Sequence, residues 1–146
     1  MTRVKLTHYF FLDEFVCPEI YSARGGQASQ LLDINIIIAA QYIREQIGKP
    51  ITINNWWNGG QYHESGLREF NTRTGAKWSQ HKYGRAIDIK VAGMTPKEIF
   101  DFVMSHENYL IENQLVTTIE NIASTPTWVH LDCRYTGLDK ILIVNP

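Results

Sequence analysis

Leu31, Ile34, Ile38 and Tyr42 recur at helical spacing, and Leu32, Ile36, Ala39, Ile43 and Ile47 widen the stripe. Residues three and four apart share one helix face, so this run predicts an α-helix. It is apolar around most of its girth and is expected to be the central core helix. Ser29 is the expected N-cap, and Gly48 followed by Pro50 is the expected stop. A chain of 146 residues, 44% of them hydrophobic, is the size of one domain built on such a core. No repeat, low-complexity tract or composition shift interrupts it, so a single domain over 1–146 is expected.

The remaining segments mix strands and helices without a strand–helix–strand rhythm. Ahead of the central helix lie an apolar piece, Tyr9 to Val16, and a loop through Pro18, Gly25 and Gly26. Ile51 to Asn54 and Arg85 to Val91 alternate as strands. Between them, residues 55–80 hold Trp56, Trp57, Tyr62, Trp78 and four glycines without periodicity, and a loop that long in a small domain is expected to be functional. Thr95-Pro96-Lys97-Glu98 reads as a capping box opening a helix to about Glu107. Leu115 to Asn121 and Thr127 to Cys133 read as a hairpin turning at Ser124-Thr125-Pro126, and Lys140 to Val144 as a last strand. The expected class is α+β, a small antiparallel sheet packed against helices.

Charge and composition exclude several functions. Fourteen Lys and Arg against fifteen Asp and Glu leave a net charge of -1, without the basic excess of a nucleic-acid binder. No run is long and apolar enough to insert in a bilayer. Asp13 and Glu14 interrupt the only N-terminal apolar piece, so no signal peptide is expected and synthesis is placed in the cytoplasm. Cys17 and Cys133 are too few for a disulfide scaffold and read as small buried thiols. Alternation puts Cys133 on the face opposite His130, which argues against a thiol nucleophile. His8, His63 and His106 read as surface residues.

Three polar residues stand out. Asp88 shares a strand face with Ala86 and Lys90, and His130 shares one with Trp128 and Asp132, while His81 lies just before the Asp88 strand. If the strands are neighbours, the three can meet in one pocket. Two imidazoles and a carboxylate suit Zn²⁺ with a fourth position left for water. A buried His130–Asp88 hydrogen-bonded pair with a solvated His81 fits the same spacing.

The run Ser79-Gln80-His81-Lys82-Tyr83-Gly84-Arg85-Ala86-Ile87-Asp88 fits S-x-H-x-x-G-x-A-x-D, and Trp128-Val129-His130-Leu131-Asp132 fits [WF]-V-H-[LV]-D. Together, over roughly Ile43 to Tyr135, they resemble the zinc D-alanyl-D-alanine carboxypeptidase and murein endopeptidase family, whose metal-site fold is shared with the Hedgehog signalling domain. The resemblance implies that His81, Asp88 and His130 bind one Zn²⁺, and that the substrate is the peptide part of bacterial peptidoglycan, cut at an L,D or D,D bond by an endopeptidase or carboxypeptidase. Gly84 fits as the turn that returns His81 toward the strand. Ser79 fits either a group orienting a ligand or a turn-former. Arg68, in Glu64-Ser65-Gly66-Leu67-Arg68, resembles the family's S-G-[YF]-R segment, whose arginine binds substrate; Lys82 is a further candidate contact. The family's Glu three residues before the second His is here Thr127, which cannot take a proton from water, so Glu120 on the preceding strand is the expected general base, opposite Trp128 to Val129. The implied setting is a monomeric, phage-type lysis enzyme acting at the cell wall after release. The alternative is a catalytically silent zinc domain that binds wall peptides or serves in a virion.

Overall fold

The computed structural model describes residues 2–125 and 127–146. Helix α1 spans Pro18–Arg24 and α2 Ile34–Ile47; strand β1 spans Ile51–Thr52 and β2 Ala86–Val91; helix α3 spans Pro96–Ser105 and α4 Glu107–Glu112; strands β3, β4 and β5 span Thr118–Glu120, Val129–Asp132 and Leu142–Val144. The strands form one five-stranded sheet in the order β1-β2-β4-β3-β5. All neighbouring pairs are antiparallel except β3 and β5, so the class is α+β as expected, with one parallel edge that the sequence did not announce.

The two central strands carry the polar face. Ala86 pairs with Asp132 and Asp88 with His130, while Ile87 pairs with Leu131 and Ile89 with Val129. The second set is fully buried in the apolar core beneath the sheet. Because side chains alternate across a strand, burying Ile87, Ile89, Val129 and Leu131 forces Asp88 and His130 onto the opposite face together.

Helix boundaries moved where local hydrogen bonds outweighed the apolar stripe. Residues 25–31 wind as a 3₁₀ segment, and α2 starts at Ile34 with Asp33, not Ser29, as its cap; the Asp33 carboxylate accepts the Asn35 N–H at 2.9 Å. The Ser29 hydroxyl instead donates to the Gly26 carbonyl. Helix α2 buries Ile36, Ile37, Ala39, Ala40 and Ile43 but exposes Ile34 and Ile38, so it lies against the core rather than inside it. The stretch after Pro18 is helix rather than loop, since Pro18 occupies the first helical position where its missing N–H costs nothing. The Thr95 capping box is present with both of its reciprocal bonds, and a separate short helix, α4, follows it. Between β3 and β4 the chain makes a 3₁₀ turn over Ile122–Ser124; Pro126 of the expected turn lies outside the described residues.

Candidate metal centre

The loop before β2 is held by two glycines. Gly84 adopts φ +69° at the end of the turn Gln80–Tyr83, and a Cβ there would lie 2.1 Å from the Leu31 carbonyl oxygen. Conformation and space both demand glycine at this point. Gly66 packs against the N-terminal segment, where a Cβ would lie 2.2 Å from the Phe15 carbonyl oxygen. That contact fixes the Gly66 carbonyl, which accepts a hydrogen bond from His81 Nδ1 at 2.9 Å.

His81, Asp88 and His130 are buried and converge. His81 Nε2 lies 3.2 Å from Asp88 Oδ1 and 3.1 Å from His130 Nδ1, and His130 Nδ1 lies 3.0 Å from Asp88 Oδ1. A backbone carbonyl only accepts, so His81 Nδ1 carries its proton and Nε2 presents a lone pair. His130 Nε2 lies 2.8 Å from Asp132 Oδ2 and is likewise the protonated nitrogen, leaving Nδ1 facing inward. Three lone pairs therefore point at one spot, an arrangement that a cation must relieve. Ligand atoms on a tetrahedral zinc sit about 3.3 Å apart for bonds of about 2.0–2.1 Å, close to the spacing here. The three residues could hold a metal ion.

Electrostatics point the same way. Burial pushes the His81 imidazole toward neutrality. Burial also opposes charge on Asp88, but His81 and His130 outweigh it and hold the carboxyl below the usual carboxylate range. For His130, burial is overcome by the hydrogen bonds to Asp132 and Asp88, and its pKa is raised to about 9. In the metal-free protein a proton on His130 thus stands where positive charge is needed.

Glu120 reaches the same spot. The β3–β4 register pairs Thr118 with Asp132 and Ile119 with Leu131, which brings Glu120 opposite His130 rather than Trp128 to Val129. The 3₁₀ turn uses more chain than a tight hairpin, hence the shift. Glu120 Oε1 lies 3.8 Å from His130 Nδ1, half-buried. Arg68 is buried: its Nη2 lies 3.4 Å from Asp88 Oδ2, Nε donates to the Glu64 carbonyl at 2.6 Å and Nη1 to the Thr74 carbonyl at 3.4 Å. The Ser79 hydroxyl caps the turn, accepting the His81 N–H at 3.3 Å. All of these open on one cavity of about 590 Å³, walled by Trp78 and Trp128.

Other candidates lie elsewhere. Lys82 is buried beside a second cavity and donates to the Lys77 carbonyl. Trp56 and Trp57 pack edge-on against Tyr21, and Tyr62 lies under Lys90 with the ammonium 3.9 Å from the ring centre. The Cys133 thiol is pushed up to about 12, by burial and then by Asp33 and Asp132, which fits a small inert thiol.

Two contributors escaped the sequence reading. Asp132, fully buried, orients His130, and Arg134 grips Asp132 through Nε to Oδ1 at 2.8 Å and Nη2 to Oδ2 at 2.6 Å. Strand alternation already placed Asp132 on the His130 face and was the available signal; Arg134 lies past the strand end, where periodicity says nothing.

No curated protein and no solved structure matches this chain. A protein-family model, that of peptidase M15, matches residues 8–132, a span that includes His81, Asp88, Glu120, His130 and Asp132. With the two histidine motifs, the converging His-Asp-His cluster and this match, the chain belongs to the peptidase M15 family of zinc metallopeptidases.

Proposed function

We propose that the protein is a zinc-dependent peptidase that hydrolyses L,D or D,D peptide bonds of bacterial peptidoglycan, with one Zn²⁺ held by His81 Nε2, Asp88 Oδ1 and His130 Nδ1. The observation that carries this reading is the convergence of those three lone pairs with the Glu120 carboxylate 3.8 Å from the His130 ligand atom. When bound, zinc polarises the scissile carbonyl and lowers the pKa of water toward neutrality. Glu120 then takes the proton of the attacking water and passes it to the leaving amine. Arg68 pairs with Asp88 Oδ2 and offers its remaining N–H groups to a substrate carbonyl, while Ser79 holds the His81 turn in place. Trp78 and Trp128 wall the cleft for the peptide. A phage-type role at the cell wall is part of this proposal and rests on the family resemblance.

The second reading, a silent zinc domain, draws on Thr127, which occupies the position of the family's glutamate and is exposed. Digestion of purified walls by protein carrying one equivalent of zinc separates the two. Soluble muropeptides, whose masses name the bond, are the expected product; a zinc-loaded protein that releases none points to the silent domain.

Two further outcomes follow from the ligand shell. Asp132→Asn removes the charge behind His130 while keeping the shape, and zinc affinity is expected to fall about 10- to 100-fold, read by competition with a chromophoric chelator. An unchanged affinity would mean Asp132 serves packing alone. The raised pKa of His130 sets a pH dependence as well. Below about 9 the metal-free imidazole is protonated, so zinc must displace that proton, and the His130 contribution makes affinity rise with pH up to about 9. Calorimetry at pH 7.5 in buffers of differing ionisation enthalpy should show at least one proton released per zinc, the His130 proton plus whatever the bound water gives up; a value near zero contradicts the assignment of His130 Nδ1 as the ligand atom.

A further inference from the structure

We propose that Arg134 recognises a free carboxylate on the substrate close to the scissile bond, while its other edge holds Asp132 against His130. This inference rests on the peptidase reading and names the group that the site selects.

A guanidinium has five N–H donors arranged in a plane. Asp132 occupies only the side-on edge of Arg134, through Nε and one hydrogen of Nη2. Nη1 has no partner among the described residues, so the end-on edge, formed by Nη1 and the second hydrogen of Nη2, stays open. That edge matches the two oxygens of a carboxylate. Arg134 lines the cavity with 32% of its side chain exposed, whereas the Asp132 side chain behind it is 0% exposed.

The other cavity arginine is placed differently. Arg68 has only 10% of its side chain exposed and directs all three nitrogens at protein acceptors, Asp88 among them. Glu120 faces the cavity and is not one of the three proposed zinc ligands, so an anionic substrate group bound near it and off the metal is repelled unless a cation receives it. Glu120 is near enough for its charge to act on Arg134 but forms no ion pair with it among the described residues, so the donors of the open edge are not taken from that side. Arg134 is therefore the cation with both an accessible edge and unspent donors. Its backbone N–H also bonds Asp132 Oδ1 at 3.2 Å, which fixes the residue's position at the cavity wall.

The test uses the muropeptide that the wall digest shows to be cut, prepared as the free acid and with its carboxylates amidated. The wild type is expected to prefer the acid in kcat/KM. Arg134→Gln should lower cleavage of both, because Asp132 is loosened, but the acid-over-amide preference should collapse about 10- to 100-fold, the effect of losing a charge-assisted hydrogen bond. Equilibrium binding of the same pair to zinc-loaded Glu120→Gln, with and without Arg134→Gln, should show the same loss of preference without turnover. Zinc content is measured in each sample. An acid-to-amide ratio that survives Arg134→Gln overturns the inference and leaves the peptidase reading standing. A wild type that cuts nothing in the wall overturns the reading itself.

Discussion

Glu120→Gln is expected to retain one equivalent of zinc and to release muropeptides about 10²–10⁴-fold more slowly than the wild type, the range lost with a general acid–base group. The substitution keeps size and hydrogen-bonding capacity but removes proton affinity. The Glu120 carboxylate does not belong to the converging triad; it stands 3.8 Å from His130 Nδ1 and opens on the cavity. Metal content should therefore stay near the wild-type value while turnover falls. A mutant that cleaves as fast as the wild type removes Glu120 from the mechanism, and loss of zinc in the mutant would reassign it as a ligand. Thr127→Glu, made alongside, tests whether the family's usual position can restore turnover in the Glu120→Gln background; exposed Thr127 predicts little rescue.

His130→Ala is expected to abolish zinc binding and hydrolysis and to destabilise the fold beyond what chelation does to the wild type. In the metal-free wild type the His130 imidazolium stands between Asp88 and Asp132, whose carboxylates lie 3.0 and 2.8 Å from its nitrogens. Removing the imidazole leaves Asp88 short of a partner in a buried site and takes from Asp132 its contact on the cavity side. Breaking a buried ion pair from one side costs about 3–5 kcal/mol. For a chain of this length that corresponds to a fall in Tm of roughly 10–16 °C. Thermal melts of the mutant and of chelator-treated wild type at pH 7.5 provide the comparison. Equal melting temperatures would show that the proton on His130 contributes nothing to the metal-free fold.

Much of the centre was legible because strands print their geometry in the sequence. With apolar residues at Ile87, Ile89, Val129 and Leu131, the polar partners Asp88 and His130 had to face away from the core, so a sheet placing β2 beside β4 puts them on the same face. The capping box at Thr95 was equally plain, since its bonds are made within four residues. Where two local signals compete, local pattern does not choose between them. Ser29 and Asp33 can both cap a helix, and the choice fell to Asp33, whose N–H bonds the Gly84 carbonyl, a partner fifty-one positions along the chain.

What the sequence alone determined is the set of chemistry-bearing residues and the strand face each occupies, because periods of two and of about 3.6 are local properties of the backbone. Only the tertiary structure decided how those faces meet. The β3–β4 register put Glu120 opposite His130, the close approach of Gly66 to Phe15 aimed a carbonyl at His81, and the parallel pairing of β5 with β3 carried Val144 to the cavity wall. Arg134 became part of the site only by reaching back over a strand end to a buried carboxylate. Each of these depends on contacts between segments whose relative placement is set by burying one shared core, and no local pattern encodes that placement.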